Sequence, residues 1–191
     1  MSKARLHPTL LELRGAMGDM VFRKRNGKVF VSIKSEGTSS APTEAQAAHR
    51  VRFKQAVAYA RIAMGDQTTR QIYDYAADQK GIPAFSLGVA DFLNLPSVDE
   101  VKLSAYQGQV GNNIMIVTSD DFGVVNLHVE IANTQGGVLI ESGQAIEYPV
   151  GTGQWNYTAQ TAVPAGTHVS IKITATDRPG GTAVNISTKD L

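Results

Sequence analysis

The sequence predicts a multidomain chain of mixed class, in which an α+β part built from a hairpin and short helices precedes an all-β sandwich. Three observations carry that expectation. Asn26-Gly27 stands between two β-prone segments, apolar residues recur at a helical period between residues 43 and 96, and from Val98 onward the period changes to two. The expected division is residues 1–97, a basic hairpin and three-helix adaptor unit, and residues 98–191, the sandwich. A chain of 191 residues and 20.4 kDa accommodates either one domain or two small ones.

In the hairpin, Val21-Phe22-Arg23-Lys24-Arg25 and Lys28-Val29-Phe30-Val31 flank Asn26-Gly27. Both turn residues tolerate the positive φ of a type I′ turn, which suits the twist of paired strands. Pairing outward from the turn sets Arg25 opposite Lys28, Lys24 opposite Val29, Arg23 opposite Phe30 and Phe22 opposite Val31. Phe22, Val29 and Val31 then share one face and form a candidate assembly contact, because a lone two-stranded hairpin is marginal in water. Arg23, Lys24, Arg25 and Lys28 gather at the tip as a candidate electrostatic contact. Such a cluster suits phosphate groups, and equally suits an edge guarded by charge against pairing with another sheet. Ser35 to Thr43 reads as a polar linker.

The first helix is expected from Thr43 to about Gly65, with Thr43 as N-cap, Gln46 closing a capping box and Glu44 in the first turn. Its apolar stripe is Ala45, Ala48, Phe53, Val57, Ala60 and Met64, with Ala56 beside it. His49, Arg50, Arg52, Lys54 and Arg61 fall mostly off the stripe and make the solvent face basic. Asp66 to Thr69 restart a helix, with Gln71 three residues after Thr68, Ile72, Tyr75 and Ala76 on one face, and Gly81 as its stop. Pro83 opens a third helix that places Phe85, Val89, Phe92 and Leu93 near one side. Tyr73, Tyr75, Phe85 and Phe92 are expected to pack a small shared core.

Eight strands are expected beyond Val98: 101–106, 113–118, 124–132, 138–141, 145–150, 155–160, 168–176 and 182–187, with Ser142-Gly143 among the turns. Alternation is clearest from Val125 to Ile131 and from Val169 to Ala175, each with one apolar and one polar face. Short alternating strands at this spacing fit an immunoglobulin-like β-sandwich, with a jelly roll as the alternative topology. The Cys pair and early Trp of antibody domains are missing, and Trp155 stands in a late strand.

Composition bounds the chemistry. Charged residues make up 18% of the chain, below the roughly 25% of a typical soluble domain, so hydroxyls, amides and peptide groups wet much of the surface. Cys is absent, which excludes disulfides, thiolate metal sites, Fe–S clusters and cysteine nucleophiles. The formal net charge of +1 is too balanced for a protein that coats a polyanion along its whole length. Residues 1–97, however, carry 14 basic and 8 acidic side chains, net +6, while residues 98–191 carry 4 and 9, net −5. Opposite halves of this kind can attract within one molecule or head to tail between copies, an effect on encounter and register more than on fold. Residues 1–22 hold neither the apolar core of a signal peptide nor a membrane span, so cytoplasmic residence is expected of the chain as synthesised, with leaderless export or release in a particle also open.

No phosphate-binding loop, dinucleotide fingerprint, HExxH, GxSxG or EF-hand loop occurs, and no catalytic residue or cofactor is assigned. Asp120, Asp121 and Asp177 invite a calcium reading, without the ordered ligand spacing of a known loop, and Asp in a turn commonly caps its own backbone. Glu141 with Glu130 or Glu147 could be drawn as an acid/base pair, with no further residue at a diagnostic spacing. His7, His49, His128 and His168 are scattered, and only the last two could meet across neighbouring strands.

The stretch from Gly18 to Phe53, with its basic hairpin, Pro-Thr-x-x-Gln helix start and Arg-x-x-Phe pair, resembles a group of uncharacterised bacterial proteins. The stretch IVTSDDFGVVNLHVEIANTQGGVLIESGQA, with WNYTA and ATDRPGG beyond it, resembles immunoglobulin-like modules attached to such N-terminal units. The resemblance implies two architectural units and carries over no activity. The function expected is therefore that of a non-enzymatic structural or assembly protein, a self-associating subunit of a homo-oligomer, filament or larger particle. A glycan- or protein-binding sandwich module and a nucleic-acid-binding protein using the basic hairpin are the alternatives.

Overall fold

The structure, a computed structural model, describes residues 14–25, 28–34 and 41–191, apart from the side chain of Arg25. The predicted Asn26-Gly27 turn and residues 35–40 of the predicted linker lie outside the described residues. The chain forms two compact units, Met1–Thr43 and Glu44–Leu191.

In the first unit β1 (Gly15–Met17), β2 (Met20–Arg25) and β3 (Lys28–Ile33) form an antiparallel sheet in the order β1-β2-β3. All four predicted pairs are present, from Arg25 with Lys28 to Phe22 with Val31, and the ladder continues to Met20 with Ile33. β1 is an addition that the sequence does not announce, since Gly-Ala-Met has no strand preference. It is placed by a tight turn at Gly18 and Asp19, where Gly18 adopts φ +58°. Alternation gathers Met17, Met20, Phe22, Lys24, Val29, Val31 and Ile33 on one face of this sheet.

The second unit opens with α1 (Glu44–Gly65), α2 (Gln67–Lys80) and α3 (Ala84–Leu93). Boundaries agree with the helical period, but the buried faces differ from those predicted. α1 buries Ala56, Ala60 and Ala63, whereas Phe53 is exposed and its neighbour Arg52 reaches the end of α3, donating to Leu93 O at 2.9 Å. α2 buries Tyr73 and Ala77 and leaves Ile72 and Tyr75 outside. The choice is made by the partner surface: Tyr73 stacks on Phe122 from outside the helices, with ring centroids 4.6 Å apart. α3 turns Leu87, Gly88 and Asp91 inward, and Phe85 is not core. Gly88 permits close packing on Ala60, whose Cβ would lie 3.5 Å from an added Cβ. The cap of α2 is Asp66 rather than Thr68, its carboxylate accepting from Thr69 N at 2.8 Å, and Gly81 ends the helix at φ +65°.

The remainder is a sandwich of two antiparallel four-stranded sheets. β4 (Ser97–Lys102), β5 (Asn113–Ser119), β8 (Ile146–Glu147) and β9 (Gln154–Thr158) give the order β4-β5-β9-β8. β6 (Val124–Asn133), β7 (Leu139–Gln144), β10 (His168–Asp177) and β11 (Thr182–Asp190) give the order β11-β10-β6-β7. Lettered in chain order, these are the ABED and GFCC′ sheets of an immunoglobulin-like fold, which excludes the jelly roll. The core holds Ile114, Ile116, Leu127, Val129, Ile131, Trp155, Val169, Ile171 and Ile173, contributed by alternate positions of facing strands.

Three strand predictions need correction. That of 145–150 contracts to the two residues of β8, with a bend and turn following at Tyr148 to Val150. The first strand runs from Ser97 to Lys102 and not to Tyr106, because a bulge between Val98 and Glu100 hides its alternation, while Tyr106 enters the core from a loop. Ser142-Gly143 is not a turn but part of β7. A Cβ on Gly143 would stand 3.1 Å from Tyr157 Cε2, so this glycine marks close approach of an aromatic ring.

Gly153 is the tightest such position. Its φ is +71° and a Cβ there would meet Thr118 O at 2.3 Å, next to the Thr118 hydroxyl that accepts from Trp155 Nε1 at 3.0 Å. Gly151 has φ +81° with open space around it. Gly151→Ala is therefore expected to cost about 1–2 kcal/mol, from backbone conformation alone. Gly153→Ala adds a backbone clash and should exceed that by at least about 1 kcal/mol. Urea unfolding followed by Trp155 fluorescence measures both, and equal costs would contradict the packing described.

Candidate functional site

Where the helices meet the sandwich, three elements that are remote in sequence deliver carboxylates to one place. α3 contributes Asp91, fully buried, the β5–β6 loop contributes Asp120, and the end of β10 contributes Asp177, 2% exposed. Tyr73 on α2 donates its hydroxyl to Asp91 Oδ2, and Tyr59 on α1 shares a hydrogen bond with Tyr73 at 2.8 Å. Arg178 lies over the Phe122 ring, its Cζ 5.6 Å from the centroid, and draws the carboxylates electrostatically. Asp91 Oδ1, Asp120 Oδ1, Asp177 Oδ2 and Arg178 Nε are buried without a hydrogen-bond partner.

Burial in this setting disfavours charge. Desolvation first, then the like charges of Asp120 and Asp177, push the Asp91 carboxyl up to about 6, against the pull of Tyr73 and Arg178. Asp177 is raised in the same sense, chiefly by desolvation. Desolvation, with Asp91 behind it, drives the Tyr73 hydroxyl far above the ordinary tyrosine range, so it stays a donor.

An open cleft of about 450 Å³ lies outside this junction, lined by Ser119, Asp120, Glu147, Val150, Thr152 and Arg178 among others. Two of its acids are tied to backbone. Asp120 Oδ2 accepts from Gly123 N at 2.7 Å and Phe122 N at 3.1 Å, and Glu147 Oε1 accepts from Gly153 N at 2.8 Å. Asp120 is thus the self-capping turn residue of the sequence reading. Of the suggested calcium trio, Asp120 and Asp177 come into electrostatic contact, while the Asp121 carboxylate accepts from Asn94 and its main-chain oxygen from Lys80. Among the described residues no group of three His, Asp or Glu side chains is arranged to hold a metal ion.

The other suggested pairs separate. Glu130 bonds Lys172 at 2.7 Å on the outer face of the sandwich, which holds its carboxyl below the usual range. Glu141 is buried, with Oε2 accepting from Gln160 N and Thr161 N at 2.9 and 2.8 Å, and burial, with the Glu141 charge behind it, pushes the Tyr157 hydroxyl up to about 12. His128 stands opposite Thr174, while His168 lies at the far end of β10 and bonds Asp190 instead, so the two do not meet.

At the hairpin, Arg23 and Lys28 are exposed and Lys24 is half-buried. Phe22 is buried and Val31 is 46% exposed, so the predicted apolar face is only partly covered. Sequence reasoning missed Asp91, whose signal was a lone acid one turn beyond Leu87 and Gly88 on an apolar helix.

Because the folded pKa of Asp91 lies above its unfolded value, its contribution to stability is greatest below about pH 4 and is lost as pH rises to about 6. Asp91→Asn retains an acceptor for Tyr73 and removes the buried charge. The stability gain from Asp91→Asn is expected to be small near pH 4, to grow through pH 6, and to level off at about 3 kcal/mol. A gain independent of pH would contradict the burial of a charge at this position.

No protein-family model and no curated protein matches the chain. A structure of CopC from Methylosinus trichosporium OB3b is similar over 50% of this chain and 89% of that chain, at 11% identity and a TM-score of 0.37. A likeness of that size carries nothing about function.

Proposed function

We propose that the protein is a structural, self-associating subunit, built to be incorporated into a larger assembly rather than to transform a substrate. The observation that carries this reading is the open face of the β1-β2-β3 sheet. Met17, Met20, Val31 and Ile33 are all exposed there, Ile33 at 82%, on one side of a sheet of three short strands. Apolar side chains so grouped on a small sheet gain most by meeting another surface. Charge distribution gives such a meeting direction. Residues 1–43 carry 8 basic and 3 acidic side chains, net +5, whereas residues 44–191 carry 10 and 14, net −4. A head-to-tail contact between the two units of successive copies propagates unless its rotation closes a ring.

The test compares two sets of substitutions in the full chain by sedimentation velocity. Val31→Ser with Ile33→Ser strips the open face and is expected to weaken association about ten-fold or more. Arg23→Gln, Lys24→Gln, Arg25→Gln and Lys28→Gln together should reduce the salt dependence between about 50 and 500 mM while leaving the apolar contact. A wild-type chain that sediments as a 20.4 kDa monomer at roughly 100 μM overturns the proposal. Retention of duplex DNA by the wild type and its loss in the Gln variant would favour the nucleic-acid reading instead.

A further inference from the structure

The four edges of the sandwich are not equally guarded. β4 carries Asp99, Glu100 and Lys102 along with its bulge. β8 is two residues long and Pro149 follows shortly after it. β7 has an irregular ladder at Ile131 and Ala132 and an inward-pointing, buried Glu141. These are the devices that keep sheet edges from recruiting another strand. β11 has none of them between Thr182 and Thr188: no charge, no proline, no glycine, and an unbroken register with β10. It stands at the end of its sheet, and among the described residues no strand pairs with its outer side.

Its outer side is also a hydrogen-bonding template. Gly181 O accepts from Asp177 N at 3.0 Å and Leu191 N donates to Thr167 O at 3.2 Å, so the odd-numbered residues of this stretch bond inward to β10. By alternation, the N–H and C=O groups of Thr182, Val184, Ile186 and Thr188 point away from the sheet. The side chains of these same residues lie on the solvent face, with Val184 55% and Ile186 64% exposed.

The segment Thr-Ala-Val-Asn-Ile-Ser-Thr reads nearly the same in both directions about Asn185. Set antiparallel against a second copy on that centre, Thr182 faces Thr188, Ala183 faces Ser187, Val184 faces Ile186 and Asn185 faces Asn185. β-branched residues then oppose β-branched residues on the solvent face, and small or polar ones oppose each other on the inner face. The charges are compatible too. Lys189 falls opposite Gly181 and Asp190 opposite Gly180, so no like charges meet. We propose that two copies of this chain join β11 to β11 about a two-fold axis through Asn185, fusing two four-stranded sheets into one continuous sheet. The contact is isologous and therefore closes at two. It deepens the reading of a self-associating subunit by naming one partner surface, and it is distinct from the open face of the β1-β2-β3 sheet.

The register makes the proposal testable in the full-length chain by charge placement. In Val184→Lys with Ile186→Lys, lysines oppose lysines twice across the axis, and dimerisation should weaken by ten-fold or more. In Val184→Lys with Ile186→Glu, each lysine opposes a glutamate, and dimerisation should stay within about three-fold of wild type. Asn185→Cys, in a chain that has no other cysteine, places two thiols in a non-hydrogen-bonded pair with Cα atoms about 4.5 Å apart, and mild oxidation should give a disulfide-linked dimer. Sedimentation and a non-reducing gel read the outcomes, with thermal unfolding to show that each variant is folded. Association that ignores both charge variants, or an Asn185→Cys chain that stays monomeric on the gel, overturns this contact while leaving self-association through the β1-β2-β3 face intact. A monomeric wild type overturns both.

Discussion

The structure of residues 44–191 depends on the way three helices close one end of a β-sandwich. A sandwich end is normally a set of loops in water. Here the β5–β6 loop sends Phe122 beneath Tyr73, the end of β10 supplies Asp177 and Arg178, and α3 inserts Asp91 between them. Burying carboxylates is costly, and the offset comes from the Tyr73 hydroxyl, the turn amides at Gly181 and the nearby guanidinium. Side-chain space is limited as well, since a Cβ on Gly181 would meet both Leu95 and Asp177. The polar groups thereby set where the helices sit, while the apolar contact supplies the affinity.

Two acids of the cleft beside the junction, Asp120 and Glu147, are bonded to backbone amides and brace the loops around it. The open surfaces include the apolar face of β1-β2-β3 in the first unit and the outer side of β11 in the second. The first can be met by a different surface and so extend an assembly, whereas the second is self-complementary and closes at two. Taken together, the two proposed contacts would build chains of dimers.

Much of this architecture is legible in the sequence wherever local chemistry decides the outcome. The expected hairpin register is present from Arg25 with Lys28 to Phe22 with Val31, Gly81 and Pro83 delimit α2 and α3, and alternation from Val125 and Val169 identifies the two central strands. It is illegible wherever the decision lies with a distant partner. Tyr75 looks as suitable for the core as Tyr73, yet 72% of it is exposed because Phe122, some fifty residues away in sequence, selects Tyr73. Asp91 reads as a surface acid until the loops that cover it are known. The two-fold pattern about Asn185 is present in the letters, and gains meaning only once β11 is seen to be an edge.

The central claim, that helices and sandwich are one body held by the junction at Tyr73, Asp91 and Phe122, makes a direct demand on unfolding. Trp155 lies in the sandwich core, so its fluorescence follows that part, while the far-UV helical signal follows α1 to α3. In urea, with the full chain at neutral pH, the account predicts coincident transitions with the same midpoint and slope by both probes. Loss of the helical signal at a lower urea concentration than the Trp155 change would contradict it, because the helices would then be an appendage and not the closure of the sandwich.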